Sequence, residues 1–277
     1  MHDIEDVLAL TEEDYKSKLL DLHLFPLSKS KVSSYKFCPY QFALRYIKKV
    51  PSEQNFKMVI GIRYHHFMEN FFDYIDEVDD WTKLIHEDYT PFERGLLSWT
   101  ISMEYARYAI YSDAGHEDLY KPFIREVDFY NTPLDVHGII DRSDYLIPEL
   151  VPYMEGEISN REKNGILKKL AAGKKLLCIT EYKTGDSFFE KGLKEEVSLY
   201  KQCFLGDPRY SDYEVGCGCV INPKLKKIHY LGLERDETTK AKIETVKENI
   251  RQRIFPKTCS PGKYEACKLC EFNDTGL

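Results

Sequence analysis

The chain has 277 residues, 43% of them apolar and 31% charged, enough to bury one large core or two smaller ones without disulfides, which excludes a disordered or fibrous chain. Lys+Arg 39 against Asp+Glu 46 leave a net charge of −7, which argues against a protein that coats nucleic acid over its whole surface but leaves room for a local basic groove. The eight cysteines are too unevenly placed for a disulfide-dense secreted scaffold; Met1 to Leu10 is acidic where a signal peptide is basic, and no apolar run approaches a membrane span, so a reducing cytoplasmic setting is expected.

In chain order, the acidic first thirty residues read as a solvated helix or extension ending near Pro26. A helix is expected from Ser33, whose hydroxyl caps Ser34 to Phe37, with Pro39 tolerated near a helix start and Phe42, Tyr46 and Ile47 at helical spacing. A second helix fits Gly61 to Ile75. Seven acids and one lysine between Asp73 and Asp88 account for nearly all of the net charge. Strands are expected at Ile124 to Tyr130 and Leu134 to Leu146, joined by Asn131-Thr132-Pro133, and a buried third at Lys175 to Tyr182. The basic run from Arg161 to Lys175 is expected to be a solvated face. A helix over Glu190 to Leu205, a hairpin of Tyr213 to Ile221 with Lys227 to Leu233, and a helix over Glu237 to Ile254 striped with Ile243, Val246, Ile250 and Ile254 complete an α/β plan.

Two stretches place hard oxygen ligands on strands: Asp141 in Gly-Ile-Ile-Asp-Arg-Ser-Asp, and Glu181 with Lys183 in Glu-Tyr-Lys-Thr-Gly. Residues two apart on a strand share a face, so Glu181 and Lys183 project together. Two carboxylates beside an ammonium suit Mg²⁺ or Mn²⁺ and a water oriented by the lysine. Alone, the pattern is very weak evidence, since Glu-x-Lys is common by chance and ordinarily makes an exposed salt bridge at a strand end. In the tail, Cys267-Lys268-Leu269-Cys270 is a two-residue chelate that Cys259 can join across a short loop. Zinc and an iron–sulfur cluster both fit such thiolates, while Cys178, Cys203, Cys217 and Cys219 read as packing residues.

These motifs together resemble the RecB-like branch of the PD-(D/E)XK nucleases, which includes the RecB and AddB nuclease domains, CRISPR-associated RecB-like exonucleases and viral relatives. Ser33 to Tyr40 is similar to that branch's opening Cys-Pro helix, and Gly61-Ile62-Arg63-Tyr64-His65 with Glu69 to its Gly-x-x-x-His-x-x-x-Glu motif. Asp141, Glu181 and Lys183 match the two core motifs. Tyr200 matches the end of the branch's Gln-x-x-x-Tyr, where Glu196 stands in place of the glutamine. The tail reads Cys-x7-Cys-x2-Cys, unlike the usual Cys-x2-Cys-x5-Cys.

The resemblance implies a restriction-endonuclease-like core with a central mixed sheet flanked by helices, an N-terminal helical region over 1–120, a core over 121–235, and a C-terminal helix with a cysteine clasp over 236–277. It implies metal ligation by His65, Asp141, Glu181 and the Tyr182 carbonyl, catalytic roles for Lys183 and Tyr200, and supporting roles for Glu69 and Glu196. It also places Cys38 as the upstream partner of Cys259, Cys267 and Cys270 on a [4Fe–4S] cluster, with Zn²⁺ the alternative. The expected activity is a Mg²⁺- or Mn²⁺-dependent DNA exonuclease on single strands or duplex ends, serving DNA repair or recombination with a helicase or recombination partner. A catalytically silent nucleic-acid-binding protein on the same fold is the competing reading. Arg45, Lys48 and Lys49, the Arg161 to Lys175 run and Lys224 to Lys227 are candidates for backbone contact, and Tyr35, Tyr40 and Tyr46 for base stacking.

Overall fold

The computed structural model describes residues 4–51, 56–186 and 190–257. The chain forms two compact units, one of Met1–Gln54, Tyr130–Gly138 and Arg235–Leu277, the other of Asn55–Phe129 and Ile139–Glu234.

In the first unit two helices, α1 (Glu5–Leu8) and α2 (Glu12–Asp21), precede the short strand β1 (Leu27–Ser28). Helix α3 (Lys29–Phe37) starts earlier than the Ser33 cap suggests, because the Ser28 hydroxyl already accepts from the Lys31 N–H. Cys38 is extended and ends α3; Pro39 then opens α4 (Pro39–Phe42), which runs into a π turn over Ala43–Ile47. Helix α9 (Asp236–Arg251) buries Ile243, Val246 and Ile250. Ile254, expected on that stripe, lies beyond the helix end and is exposed. The end of α9 is held by Tyr15 Oη donating to Ile250 O at 2.6 Å, and the segment after it by Tyr35 Oη donating to Ile254 O at 2.5 Å and by Arg253 donating to carbonyls of Leu8 and Thr11.

The second unit opens with α5 (Phe56–Tyr74), several residues ahead of Gly61. Helix α6 (Pro91–Asp113), absent from the sequence reading, is opened by a reciprocal Thr90–Glu93 cap with Pro91 in the first turn. Strands β2 (Ile124–Asn131) and β3 (Val136–Tyr145) follow as expected, then β4 (Gly156–Glu157). Most of the basic run, for which no element was expected, folds as α7 (Asn160–Ala171) behind a Ser159–Glu162 capping box, burying Ile166. Strand β5 (Lys175–Tyr182) and helix α8 (Glu190–Leu205) lie where the sequence put them, and β6 (Tyr213–Asn222) and β7 (Lys227–Leu231) form the hairpin.

The strands make one seven-stranded mixed sheet in the order β1-β3-β5-β6-β7-β4, with β2 paired to β3. With its flanking helices this is the restriction-endonuclease-like arrangement anticipated above. Every residue of β5 after Lys175 is buried, as expected of a strand covered on both faces. Register sorts the side chains. Arg142 pairs with Thr180 and Asp144 with Cys178 across β3 and β5, while Cys178 pairs with Cys217 and Thr180 with Cys219 across β5 and β6. Those residues therefore share one face, and Asp141, Ile179 and Glu181 take the other. Helix α8 covers the second face, close enough that a Cβ on Gly218 would meet Val197 at 2.4 Å. Cys178, Cys203, Cys217 and Cys219 are all buried, as anticipated. No helix among the described residues is long and apolar enough to cross a membrane.

Candidate metal centre and active site

Alternation on β3 turns Asp141 to the α8 side of the sheet, and alternation on β5 does the same for Glu181. The Tyr182 N–H donates to Asp141 Oδ2 at 2.9 Å, locking one carboxylate oxygen to the neighbouring strand. Helix α5 supplies His65, one residue past Tyr64, whose ring is buried against Tyr182 with centroids 5.5 Å apart. Packing of Tyr64 thus fixes where the His65 ring stands, with Nδ1 3.6 Å from Asp141 Oδ1.

Sequence reasoning did not select the third member. Glu126 on β2 brings Oε1 to 3.3 Å from His65 Nδ1, and its backbone sits at φ 48°, in the left-handed region that non-glycine residues seldom occupy. That conformation breaks the strand's alternation and aims the carboxylate at the histidine, and strain of this kind collects at functional sites. The available signal was an acid on the strand beside Asp141, but Glu126 and Asp128 have the same parity and the pattern does not choose between them. One ligand atom each from His65, Glu126 and Asp141 lies within 4.8 Å of the others, a spacing at which one cation is held.

Lys183 follows β5 and points back between two carboxylates, with Nζ 2.6 Å from Glu181 Oε1 and 2.9 Å from Glu196 Oε2 on α8. Glu196, which stands where the resemblance has glutamine, is therefore an ion-pair partner of the lysine. Tyr200, one turn further along α8, is buried and its hydroxyl hydrogen-bonds Glu181. The structure brings together His65, Asp141, Glu181, Tyr182, Lys183, Glu196 and Tyr200. It does not bring Glu69 to His65: Glu69 is half exposed and turns its Oε2 to His66 Nδ1 at 3.7 Å.

The electrostatics are those of a crowded acidic pocket. Burial, reinforced by the Glu181 charge, pushes the Asp141 carboxyl up to about 7. Burial pulls the His65 imidazole down but is outweighed by the hydrogen bond to Glu126 and the charge of Asp141, so its pKa is raised. Burial likewise opposes the charge on Lys183, yet Glu181 and Glu196 overcome it and the ammonium is held well above its ordinary value. Tyr200 is kept protonated by burial and by the charges of Glu181 and Asp141. Two carboxylates and an imidazole at this spacing, with an acid that resists ionisation when the site is bare, fit a divalent cation such as Mg²⁺ or Mn²⁺. A cleft of about 570 Å³ opens beside His65 and Glu126, bounded by Met58, Ile62, His66 and Glu69.

The expected nucleic-acid contacts fare unevenly. Tyr35 is buried and donates its hydroxyl to a carbonyl, so it is no stacking platform. Lys48 pairs with Asp6, Lys169 and Lys174 with Glu214, and Lys224 with Asp186. Cys38 is partly exposed at the α3–α4 junction, and Cys259, Cys267 and Cys270 lie outside the described residues.

No curated protein matches the chain. Residues 26–148, which include His65, Glu126 and Asp141, match the family model described as the PD-(D/E)XK nuclease superfamily. That match falls on the ligand cluster and on the first strands of a sheet of the expected kind, so over residues 26–148 the chain is similar to the PD-(D/E)XK nuclease superfamily.

Proposed function

We propose that the chain is a PD-(D/E)XK nuclease, a Mg²⁺- or Mn²⁺-dependent deoxyribonuclease that acts as an exonuclease on single strands or duplex ends. The observation that carries the reading is the convergence of His65, Glu126 and Asp141 on one point beside the Glu181–Lys183 pair. His65, Asp141, Glu181 and Glu126 would hold the ion, with the Tyr182 carbonyl a further donor. When bound, it supplies Lewis-acid polarisation of the phosphate and an acidified water. Lys183, kept charged by Glu181 and Glu196, donates to the attacking water or to a phosphoryl oxygen and balances the charge that develops there. Tyr200 orients the Glu181 carboxylate. Glu126 and Asp141 together fix the His65 ring. The partly exposed Ile62 and Met58 at the cleft give unstacked bases an apolar surface, in keeping with a single-stranded end.

The same reading includes a [4Fe–4S] cluster on Cys38, Cys259, Cys267 and Cys270, with zinc as the alternative. Its structural support is the course of the chain: Phe255 stacks on Phe42 at 6.4 Å, and Lys257 lies over the Tyr40 ring at 4.5 Å. The chain is therefore beside the Cys38 junction two residues before Cys259.

Incubation of anaerobically purified protein with end-labelled single-stranded and duplex DNA plus Mn²⁺, beside Lys183→Ala, tests the activity. Metal-dependent release of label that falls at least ~100-fold in the variant is expected, given what an electrostatic stabiliser contributes. Cleavage that ignores the metal, or equal cleavage by the variant, would refute it. A broad absorbance shoulder near ~400 nm is expected of the cluster, and zinc would give none.

A further inference from the structure

Helix α6 supplies no ligand to the cluster of His65, Glu126 and Asp141, yet two of its side chains brace the rings that wall in His65. The His65 imidazole stands edge-to-face with the Tyr182 ring at 5.7 Å and with the Tyr64 ring at 6.5 Å, and the two tyrosine rings meet at 5.5 Å. Both tyrosines are buried, and each hydroxyl is anchored. Tyr64 Oη lies 2.9 Å from Thr100 Oγ1, whose own proton goes to the Leu96 carbonyl at 3.0 Å, so Tyr64 is the donor. Tyr182 Oη accepts from Arg142 Nη1 at 3.0 Å. Arg142 in turn donates through Nε to both Asp144 oxygens at 2.8 Å and through Nη1 to Glu104, one turn after Thr100 on α6.

The anchor on Tyr182 bears on three donor groups at once. Its N–H fixes Asp141 Oδ2 at 2.9 Å, its carbonyl is the main-chain donor of the proposed site, and its ring limits the orientations open to His65. A side chain pinned at its hydroxyl cannot turn without disturbing the main chain that carries the other two contacts. Tyr64 acts from the helix side, since it adjoins His65 in α5 and its anchored ring restrains the backbone there. Ligands bind a cation tightly only when their orientation is fixed before it arrives, and groups behind the ligands supply that restraint. Phenylalanine would fill the same space, whereas a hydroxyl met by a hydroxyl on one ring and by a guanidinium on the other also sets where each ring points.

We propose that the Tyr182 and Tyr64 hydroxyls, anchored by Arg142 and Thr100, are positioning groups of the metal centre, holding the His65 ring and the Asp141 carboxylate ready for the cation without touching the cation or the DNA. This role rests on the metal-dependent nuclease reading above and adds to it the residues that set metal affinity from behind the ligands.

Tyr182→Phe and Tyr64→Phe test it in the full chain. Neither strands a buried group, because Arg142 Nη1 keeps Glu104 as acceptor and Thr100 keeps the Leu96 carbonyl, so both should melt within a few degrees of the parent in EDTA. By isothermal titration each should bind Mn²⁺ about five-fold more weakly, short of the roughly ten-fold or more that direct partners of metal ligands cost. The Mn²⁺ concentration that gives half-maximal DNA cleavage should rise by the same factor, with KM for DNA unchanged and cleavage restored at saturating Mn²⁺. Tyr15→Phe removes an equally buried hydroxyl from the first unit; it should lower the melting temperature similarly and leave Mn²⁺ affinity unchanged, which separates loss of positioning from a general loss of stability. Unchanged Mn²⁺ affinity in both tyrosine variants, or an equal loss in Tyr15→Phe, would overturn the positioning role and leave the nuclease reading standing. A parent chain that binds no Mn²⁺ would overturn both.

Discussion

Replacing Asp141 by Asn should make the metal-free protein more stable while destroying its activity, and the gain should grow with pH. Burial and the Glu181 charge push the carboxyl up to about 7 in the folded chain, against an ordinary value of 3.8. Between those values the unfolded chain has lost the proton and the native one keeps it, so stability falls as pH rises and is restored as pH drops toward 3.8. Integrating the linkage gives a penalty of ~0.5 kcal/mol at pH 4 that reaches ~4 kcal/mol at pH 8. Asn carries no such penalty and keeps an oxygen for the Tyr182 N–H. For a chain of this length, ~4 kcal/mol corresponds to roughly 7 °C in melting temperature. Thermal unfolding of both proteins in EDTA from pH 4 to pH 8 measures the gap directly. Added Mn²⁺ should then raise the parent at pH 8 and leave the variant nearly unmoved, because a ligand stabilises only the state that binds it. A gap that stays constant with pH, or a variant no more stable than the parent at pH 8, would refute the assignment of a crowded acidic pocket around Asp141.

Glu126→Gln should abolish most of the Mn²⁺-induced rise in melting temperature and lower cleavage by at least ~10-fold, as loss of a metal ligand or of its orienting partner does; isothermal titration with Mn²⁺ on the folded variant checks this. Glu69→Gln should change neither metal affinity nor cleavage by more than about two-fold, since that side chain faces His66, and exposed substitutions of this kind cost within ~0.5 kcal/mol. Arg142→Met should cost about 3–5 kcal/mol in urea unfolding, because it leaves Glu104 and Asp144 buried with a single arginine. Thr90→Ala removes the cap of α6 and should cost ~1 kcal/mol with cleavage unchanged.

Strand β5 was legible because Leu176 to Ile179 is a continuous apolar run between Lys174-Lys175 and the Lys-Thr-Gly turn after Tyr182, the signature of a strand covered on both faces. Helix α6 was not, although it is the longer element. Its buried stripe includes Thr100, Glu104 and Arg107, and polar residues on the inner face dilute the periodicity from which helices are read. Those residues point inward because Arg107 and Arg142 share the Glu104 carboxylate, a partnership between positions 38 residues apart that no local pattern contains. The candidate site divides in the same way. Asp141 and Glu181 sit on strands and Lys183 directly follows one, so all three could be placed by parity, and His65 came from the resemblance. Glu126 depends on a left-handed backbone at one residue, for which Glu carries no propensity.

Parity on β3 also explains why so acidic a pocket can be built on a stable sheet. Asp141 faces the metal ligands, while Arg142 and Asp144, one and three residues on, face the opposite core. There Arg107 and Arg142 balance Glu104 and Asp144, and the Glu104 carboxyl is held down at about 2 by the two arginines against the opposing pull of burial. On the α8 side no such balance exists: Asp141, Glu181, Glu126 and Glu196 gather around one lysine and one histidine. The neutral network anchors β3 through hydrogen bonds to α6 and to Tyr182, whose own N–H holds Asp141 in place. The charge deficit is thereby confined to side chains that a cation gathers, and the backbone carrying them is fixed from behind. Loosening the rear network should therefore weaken metal binding across the sheet, even though none of its residues reaches the ligand cluster.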